Sequence, residues 1–511
     1  MLNDKGSKIL KLTIPQDRPL NTTELTNILG WWDDRRAHLK DLKDYYDLHH
    51  EIEDRVMFRS SRDPETGERI YGEDKKKPNN KLIHDFPGYI TDVFTGYFMG
   101  KPVSYTVEKG HEAALERLQE ILDYNDEAAH NINLAMDQSI FGTAFEVLWT
   151  EKPAWGILKN KLTPRFNTIS PLEGFVVYDP DSMEDVPIAA FRVIHIWDIL
   201  EQKYKYMIEE YTEELVYTYS GASYAELICD NPEGVPHNFK QVPIIEYPNN
   251  KDRCGDFERV ISLIDAYDKL NSDGLNESEG FRNSLLHVRN MMGTNADDIR
   301  EMQESGVVKT EDEGTVEYIT KPDSSGTLTA QEAILSKNIH KFSKVPPMDD
   351  QNFAGNVSGE AMKYKLWGIE TVTSTKERLF KKSLIRRVEI IFELFIQLKG
   401  DSDFDFTYLG TKFTRNIPRN LSELVDQINK LKGMVSKETL LSWHPDIDDP
   451  AAEVIKANEE NQMANPYNPD FVNSNSSSND NNTNDDKNNN NNNNNKKNNS
   501  KQNITKKKGD I

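Results

Sequence analysis

The chain predicts a multi-domain α+β fold, and three observations predict it. Apolar residues recur at helical spacing in the first third. Aromatic and β-branched segments then fill residues 142–220. Helical spacing returns afterwards and culminates in a helix of about forty residues near 358–399. At 511 residues and 58.7 kDa the chain holds material for two to four domains with real cores.

Each element follows from its residues. Residues 20–58 read as helical, with Thr22 and Thr23 as N-cap candidates. Arg62-Asp-Pro-Glu-Thr-Gly67 is a turn, followed by the basic loop Lys75-Lys-Lys-Pro78. In Asn80–Val103, Ile90, Phe94 and Tyr97 fall at helical spacing, so a buried helix ends at Gly100. Two more helices cover 111–123 and 126–140. Strands are expected at Ala144–Trp149, Gly174–Tyr178, Ala189–Ile196 and Lys203–Ile208, and Pro243–Asn250 closes that region.

Asp256 is expected to cap a helix whose apolar stripe is Phe257, Val260, Ile264, Tyr267 and Leu270 and which runs to about Arg282. A small α/β insert follows: strand Leu285–Met291, helix Asp297–Glu304, strands Gly306–Lys309 and Thr315–Ile319. A helix over Thr329–Phe342 stops before Pro346-Pro347. A Gly/Asn-rich loop leads to Ser358, a cap for the long helix to Lys399, with Glu360 in its first turn. Phe380, Leu384, Val388, Ile391, Phe395 and Leu398 form its stripe, and Gly368 is the expected kink. Lys376, Arg378, Lys381, Lys382, Arg386 and Arg387 are assigned to the opposite face, solvated or facing a partner. Residues 421–462 read as short helices broken at Gly433 and at His444–Pro450. From Asn473 the chain is almost all Asn, Ser, Asp and Lys, so a disordered tail is expected.

Charge narrows the function. The net charge is −23, and Asn473–Ile511 carries seven Lys and four Asp, so the preceding residues carry about −26. Such a body is unsuited to gripping DNA by counterion release and fits one that lets DNA slide or merely stays soluble. Cys229 and Cys254 have no metal or disulfide spacing, which suggests synthesis in a reducing compartment. Met1-Leu-Asn-Asp-Lys-Gly lacks an apolar signal region, and the run Ile390–Leu398 is too short and too polar to span a bilayer, so no membrane role is expected.

Catalytic motifs are missing. The sequence has no Gly-x4-Gly-Lys-Ser/Thr phosphate cradle and no His-Glu-x-x-His. Asp401-Ser-Asp-Phe-Asp405 begins like a calcium loop but has Phe406 at the turn glycine and Lys412 at the bidentate glutamate. His49-His50 reads as a solvated pair, and Asp446, Asp448 and Asp449 as at most a surface cation cluster. No catalytic residue, metal or cofactor is assigned.

The stretches Asn352–Glu370, Lys376–Ile390 and Asn80–Val103, and the order of elements around them, resemble the SPP1-type portal family of tailed phages over roughly residues 30–460. The resemblance implies a wing (1–255 and 358–418), stem helices (256–282 and 329–342), a clip (283–328), a tunnel loop (343–357), a crown (419–462) and a tail (463–511) without a role. It implies a dodecameric ring at a capsid vertex of the virion, assembled in the host cytoplasm with scaffolding and major capsid proteins. Double-stranded DNA would pass through it, with the terminase large subunit and then a head–tail adaptor protein docking on it. Lys341, Lys344, Met348, Asp349, Asp350, Gln351 and Asn352 would face the tunnel, and Gly355 and Gly359 would let the loop turn sharply. Asp349 and Asp350 would repel phosphate while Lys341 and Lys344 touch it; ordinary solvated loop residues are the competing reading. A ring-shaped nucleic-acid-processing enzyme and a non-viral acidic scaffold protein are the alternative functions.

Overall fold

The structure is a computed structural model. It describes residues 8–62, 69–75, 77–154, 158, 161–200, 202–281, 286–289, 295, 297–298, 300, 315–318, 325–348, 363–399, 408–416, 421–444, 447 and 450–464. Residues Met1–Asn420 form one compact unit and Leu421–Ile511 a second. The architecture is mixed α+β, as the sequence pattern predicts.

After strand β1 (Leu10–Lys11), helix α1 (Thr22–Tyr46) starts at a capping box. The Asn21 side chain accepts from the Glu24 amide, and the Glu24 carboxylate accepts from the Asn21 amide. Asn21 therefore caps in place of Thr22, whose hydroxyl donates to the Leu227 carbonyl. The helix ends at Tyr46 rather than near 58. Leu48 turns the chain at φ 67°, and residues 58–62 leave as strand β2 (Phe58–Arg62), which pairs with β3 (Arg69–Glu73).

Helix α2 (Phe86–Met99) follows, with Asp85 accepting from the Gly88 amide and Pro87 in its first turn. A Cβ on Gly88 would crowd the Asp85 carboxylate, which would have to shift to keep this cap. Strand β4 (Ser104–Val107) and helices α3 (Glu112–Tyr124) and α4 (Glu127–Phe141) come next. Gly142, at φ 79°, ends α4 against the Arg253 carbonyl.

The β region is larger than the sequence pattern indicates. Strands β5 (Thr143–Glu151), β6 (Thr163–Ile169) and β13 (Ile244–Pro248) form one sheet in the order β13-β5-β6. Strands β7 (Gly174–Tyr178), β8 (Pro187–Asp198), β9 (Lys203–Tyr211), β10 (Leu215–Gly221), β11 (Ile228–Cys229) and β12 (Val235–Pro236) join β1 in a seven-stranded sheet. All its pairings are antiparallel except β1 on β7. Its inner face meets α1, where Trp32 stacks on Phe175 and Phe175 on Phe191, each with centroids 5.0 Å apart. Each ring buried this way contributes roughly 1.5–3 kcal/mol.

Helix α5 (Ile261–Phe281) and helix α6 (Ser325–Ser343) pack as a pair, and between them in sequence lies the small β14–β15 ladder (Leu286–Arg289 and Thr315–Tyr318). Asp256 does not cap α5. Its carboxylate accepts from Ser139, Asn249 and Lys376. His50 is not solvated either. It is buried, with Nδ1 2.6 Å from the Asp268 carboxylate, while His49 stays exposed beside Glu53.

The long helix α7 (Trp367–Lys399) contributes to two of the core clusters, Ile369 to the one around Trp32 and Phe380–Leu394 to the one around Phe98 and Tyr247. Its stripe of Phe380, Leu384, Val388 and Ile391 is fully buried. Two cations assigned to the solvated face are buried with it. Lys376 pairs with Asp256 at 2.7 Å, and Arg387 reaches Glu146, Glu127 and Asn131. A buried cation is stable only when so surrounded. Strand β16 (Leu409–Lys412) then pairs with β4.

In the second unit, Gly433 at φ 91° separates α8 (Leu421–Leu431) from α9 (Lys437–Leu441), whose cap is Ser436. Pro450 opens α10 (Pro450–Ala464). The expected strand Gly306–Lys309, most of the helix Asp297–Glu304, the caps Ser358 and Glu360, Asp401–Asp405, the Asp446, Asp448 and Asp449 group and the Asn-rich tail lie outside the described residues.

Candidate nucleic-acid interface

The chain leaves α6 and returns into α7 at one neck, and both limbs of that neck are fixed. Lys344 takes φ 66°, the left-handed conformation that ends a helix, and Ser343 donates to the His340 carbonyl. Val345 is fully buried. Its carbonyl accepts from His340 Nδ1 at 3.2 Å, which fixes the proton on that nitrogen. The His340 ring packs edge-on to Phe86 and Tyr89 of α2.

Two prolines follow, and neither has an N–H to offer. One hydroxyl satisfies the backbone around them. Tyr89 Oη donates to the Pro346 carbonyl at 2.8 Å and accepts from the Met348 amide at 3.0 Å.

The returning limb is pinned just as closely. Leu366 and Ile369 are buried in the same core as Ile339 and Val345. A Cβ on Gly368 would stand 3.4 Å from the Lys344 carbonyl, so the two limbs touch there. A turn at Leu366 interrupts the helical residues 363–365 and 367 onward, and Gly368 lies in the first turn after it. Glu370 holds the start of α7 in place. It accepts from Tyr97 at 2.6 Å and from Arg415 through Nε and Nη2 at 2.9 and 3.2 Å. Burial alone would raise the pKa of Glu370, but the hydrogen bonds from Arg415, Tyr97 and Ser374 bring it below the usual value. Arg415 also bonds Glu377 at 2.6 Å.

What the neck exposes differs from the rest of this acidic chain. On the outgoing limb Lys341, Phe342, Lys344 and Met348 are exposed, with the Lys341 ammonium 5.6 Å from the Phe342 ring centre. On the returning limb Lys363, Tyr364, Lys365 and Trp367 are exposed, Tyr364 by 81% and Trp367 by 71%. Four lysines and three aromatic rings therefore interleave on two touching limbs, while the carboxylates of Glu370 and Glu377 are engaged by Arg415. Interleaved cations and rings are the surface chemistry that nucleic acid backbones and bases recognise.

Of the residues the sequence singles out, Lys341, Lys344 and Met348 come together here and Gly368 supports them from behind. Asp349, Asp350, Gln351, Asn352, Gly355 and Gly359 lie outside the described residues. Lys363, Tyr364, Lys365, Trp367 and Tyr89 escaped sequence reasoning. The alternation Lys-Tyr-Lys-x-Trp at 363–367 was the available signal. Among the described residues no group of three or more His, Cys, Asp and Glu side chains is arranged to hold a metal ion, and no helix is long and apolar enough to cross a membrane.

These features define a multi-domain α+β protein whose most distinctive surface is the root of a loop, with no nucleotide-cradling motif in its sequence. The chain belongs to the phage portal protein family, SPP1 Gp6-like, whose model matches residues 26–467. It is 24% identical over 458 residues to the portal protein of Clostridium phage phiCD119, covering 86% of this chain and 96% of that one. It is also 24% identical over 412 residues to the portal protein of Bacillus phage SPP1, covering 76% and 78%. Among solved structures it is similar to a chain titled as the neck of an empty GTA particle computed with C6 symmetry, at 11% identity and a TM-score of 0.42, over 70% of this chain and 90% of that one. The function is that of a portal protein, a structural component of the phage virion at the head–tail connection.

Proposed function

We propose that twelve copies form a ring at the capsid vertex and that the neck described above lines its channel. In this reading residues 256–282 and 329–342 are the stem, 283–328 the clip, 343–357 the tunnel loop and 419–462 the crown. Residues 1–255 with 358–418 are the wing. Double-stranded DNA passes along the axis during packaging and ejection. The terminase large subunit and later a head–tail adaptor dock on the clip, and major capsid and scaffolding proteins surround the ring as it assembles in the host cytoplasm. The protein itself is not a catalyst.

The observation that carries this reading is the rigid neck with its lysines and aromatic rings on an otherwise acidic chain. A channel must pass DNA without holding it. A mostly acidic wall repels phosphate, and a narrow collar of lysines supplies brief contacts. Asp349 and Asp350 would belong to the repelling surface, with Gln351 and Asn352 beside them and Gly355 and Gly359 as the loop's turning points. The test is packaging by particles carrying Lys341→Ala with Lys344→Ala. The expected result is intact rings that retain less DNA, with the deficit largest at low salt and shrinking as salt rises. Packaging at the level of the unaltered chain removes the phosphate role.

A further inference from the structure

Among the described residues the hairpin of β2 and β3 has no third strand, and neither strand contributes to a core cluster. Its five pairs run from Phe58 opposite Glu73 to Arg62 opposite Arg69. Phe58 and Tyr71 fall on the same face, two positions apart along the ladder, and are 60% and 65% exposed. An isolated two-stranded hairpin is marginal in water. Such a hairpin calls for an outside surface with apolar groups and negative charge.

Its root, in contrast, is firmly placed. The Asp74 amide donates to the Met57 carbonyl, and Lys77 Nζ donates to the Phe58 carbonyl. Arg55 donates to Asp273 of α5 at 2.7 Å and to the Asn80 carbonyl at 2.8 Å, and Asn80 donates to Asn276 of α5. The hairpin thus emerges beside the α5–α6 pair without packing its aromatic face on it.

We infer that this face docks on the α5–α6 pair of the neighbouring copy. The inference rests on the ring reading above. In a ring the helix pairs stand side by side, and a ring contact joins two different patches of the same chain. Both patches are present. Helix α5 presents Asp273, one of whose oxygens accepts from Arg55, and Glu279 as exposed carboxylates against the single Lys269, and the pair exposes Leu275 and Ile334. The segment 58–78 carries Arg59, Arg62, Arg69, Lys75, Lys76 and Lys77 against five carboxylates, a net of +1 within an acidic chain. The strands are about 17 Å long. Tyr267 contacts Glu332 and Gly274 faces Leu328, so the two helices run antiparallel and Leu275 and Ile334 lie within about 15 Å along them. One hairpin can cover both. The contact straps each subunit to the next outside the channel.

The experiment uses the full chain with Cys229→Ser and Cys254→Ser, to which Tyr71→Cys is added with either Leu275→Cys or Ile334→Cys. Mild oxidation of assembled rings should give a ladder of disulfide-linked multimers on a non-reducing gel for at least one pair. In parallel, Phe58→Ser with Tyr71→Ser should raise the concentration for half-assembly at least tenfold in mass photometry, with the monomer's circular dichroism unchanged. Rings that form without any ladder, and a double serine variant that assembles like the unaltered chain, overturn the contact. An unaltered chain that forms no ring even with scaffolding protein overturns the ring reading instead.

Discussion

At the scale of single residues, three groups set the energetics most sharply. Arg387 is wholly buried between Glu146, Glu127 and Asn131. Removing one partner of such a set strands the others in low dielectric, so Arg387→Ala should cost about 3–5 kcal/mol in urea unfolding. Glu210 on β9 is buried with one carboxylate oxygen accepting from Tyr219 and the other without a hydrogen-bond partner among the described residues, and burial pushes its pKa up to about 7. The unfolded group ionises near 4.5 while the folded one keeps its proton, so stability falls as pH rises from about 4.5 to about 7. Glu210→Gln should therefore raise the unfolding midpoint at pH 8, by up to about 3 kcal/mol, and leave it nearly unchanged at pH 4. A midpoint gain that is equal at both pH values would contradict this. Lys344 holds a left-handed conformation that disfavours side chains. Lys344→Gly should stabilise the chain by about 1 kcal/mol while weakening DNA retention, a combination that separates its charge from its fold.

At the scale of elements, the neck behaves as one unit because a single Tyr89 hydroxyl closes the backbone around Pro346 and Pro347. Tyr89→Phe should cost about 1–3 kcal/mol and speed hydrogen exchange at the Met348 amide while α2 itself stays protected. The helices of this unit were legible in the sequence, since Pro346-Pro347 ends α6 and the Phe380–Ile391 stripe marks α7. The buried cations were misassigned although the pattern held them. Lys376 stands four residues before Phe380 and Arg387 seven after it, which places both on the apolar stripe. Their partners Asp256, Glu127 and Glu146 are distant in sequence, and that pairing is invisible to periodicity. The same limit hid the pairing of β13 with β5, a strand far earlier in the chain.

At the scale of the whole molecule, function was legible through family resemblance and not through composition. The net charge of −23 argued only for passage or solubility. The fold adds a local exception to that charge, a lysine and aromatic collar at the root of one loop. This collar includes Tyr364 and Trp367, residues that charge counting passes over. The central claim is that the collar faces the DNA path. The direct measurement is photocrosslinking from a benzophenone amino acid placed at Tyr364 in particles arrested during packaging. The account predicts adducts with DNA that disappear in empty particles. Adducts confined to neighbouring protein, with none on DNA in filled particles, would contradict it.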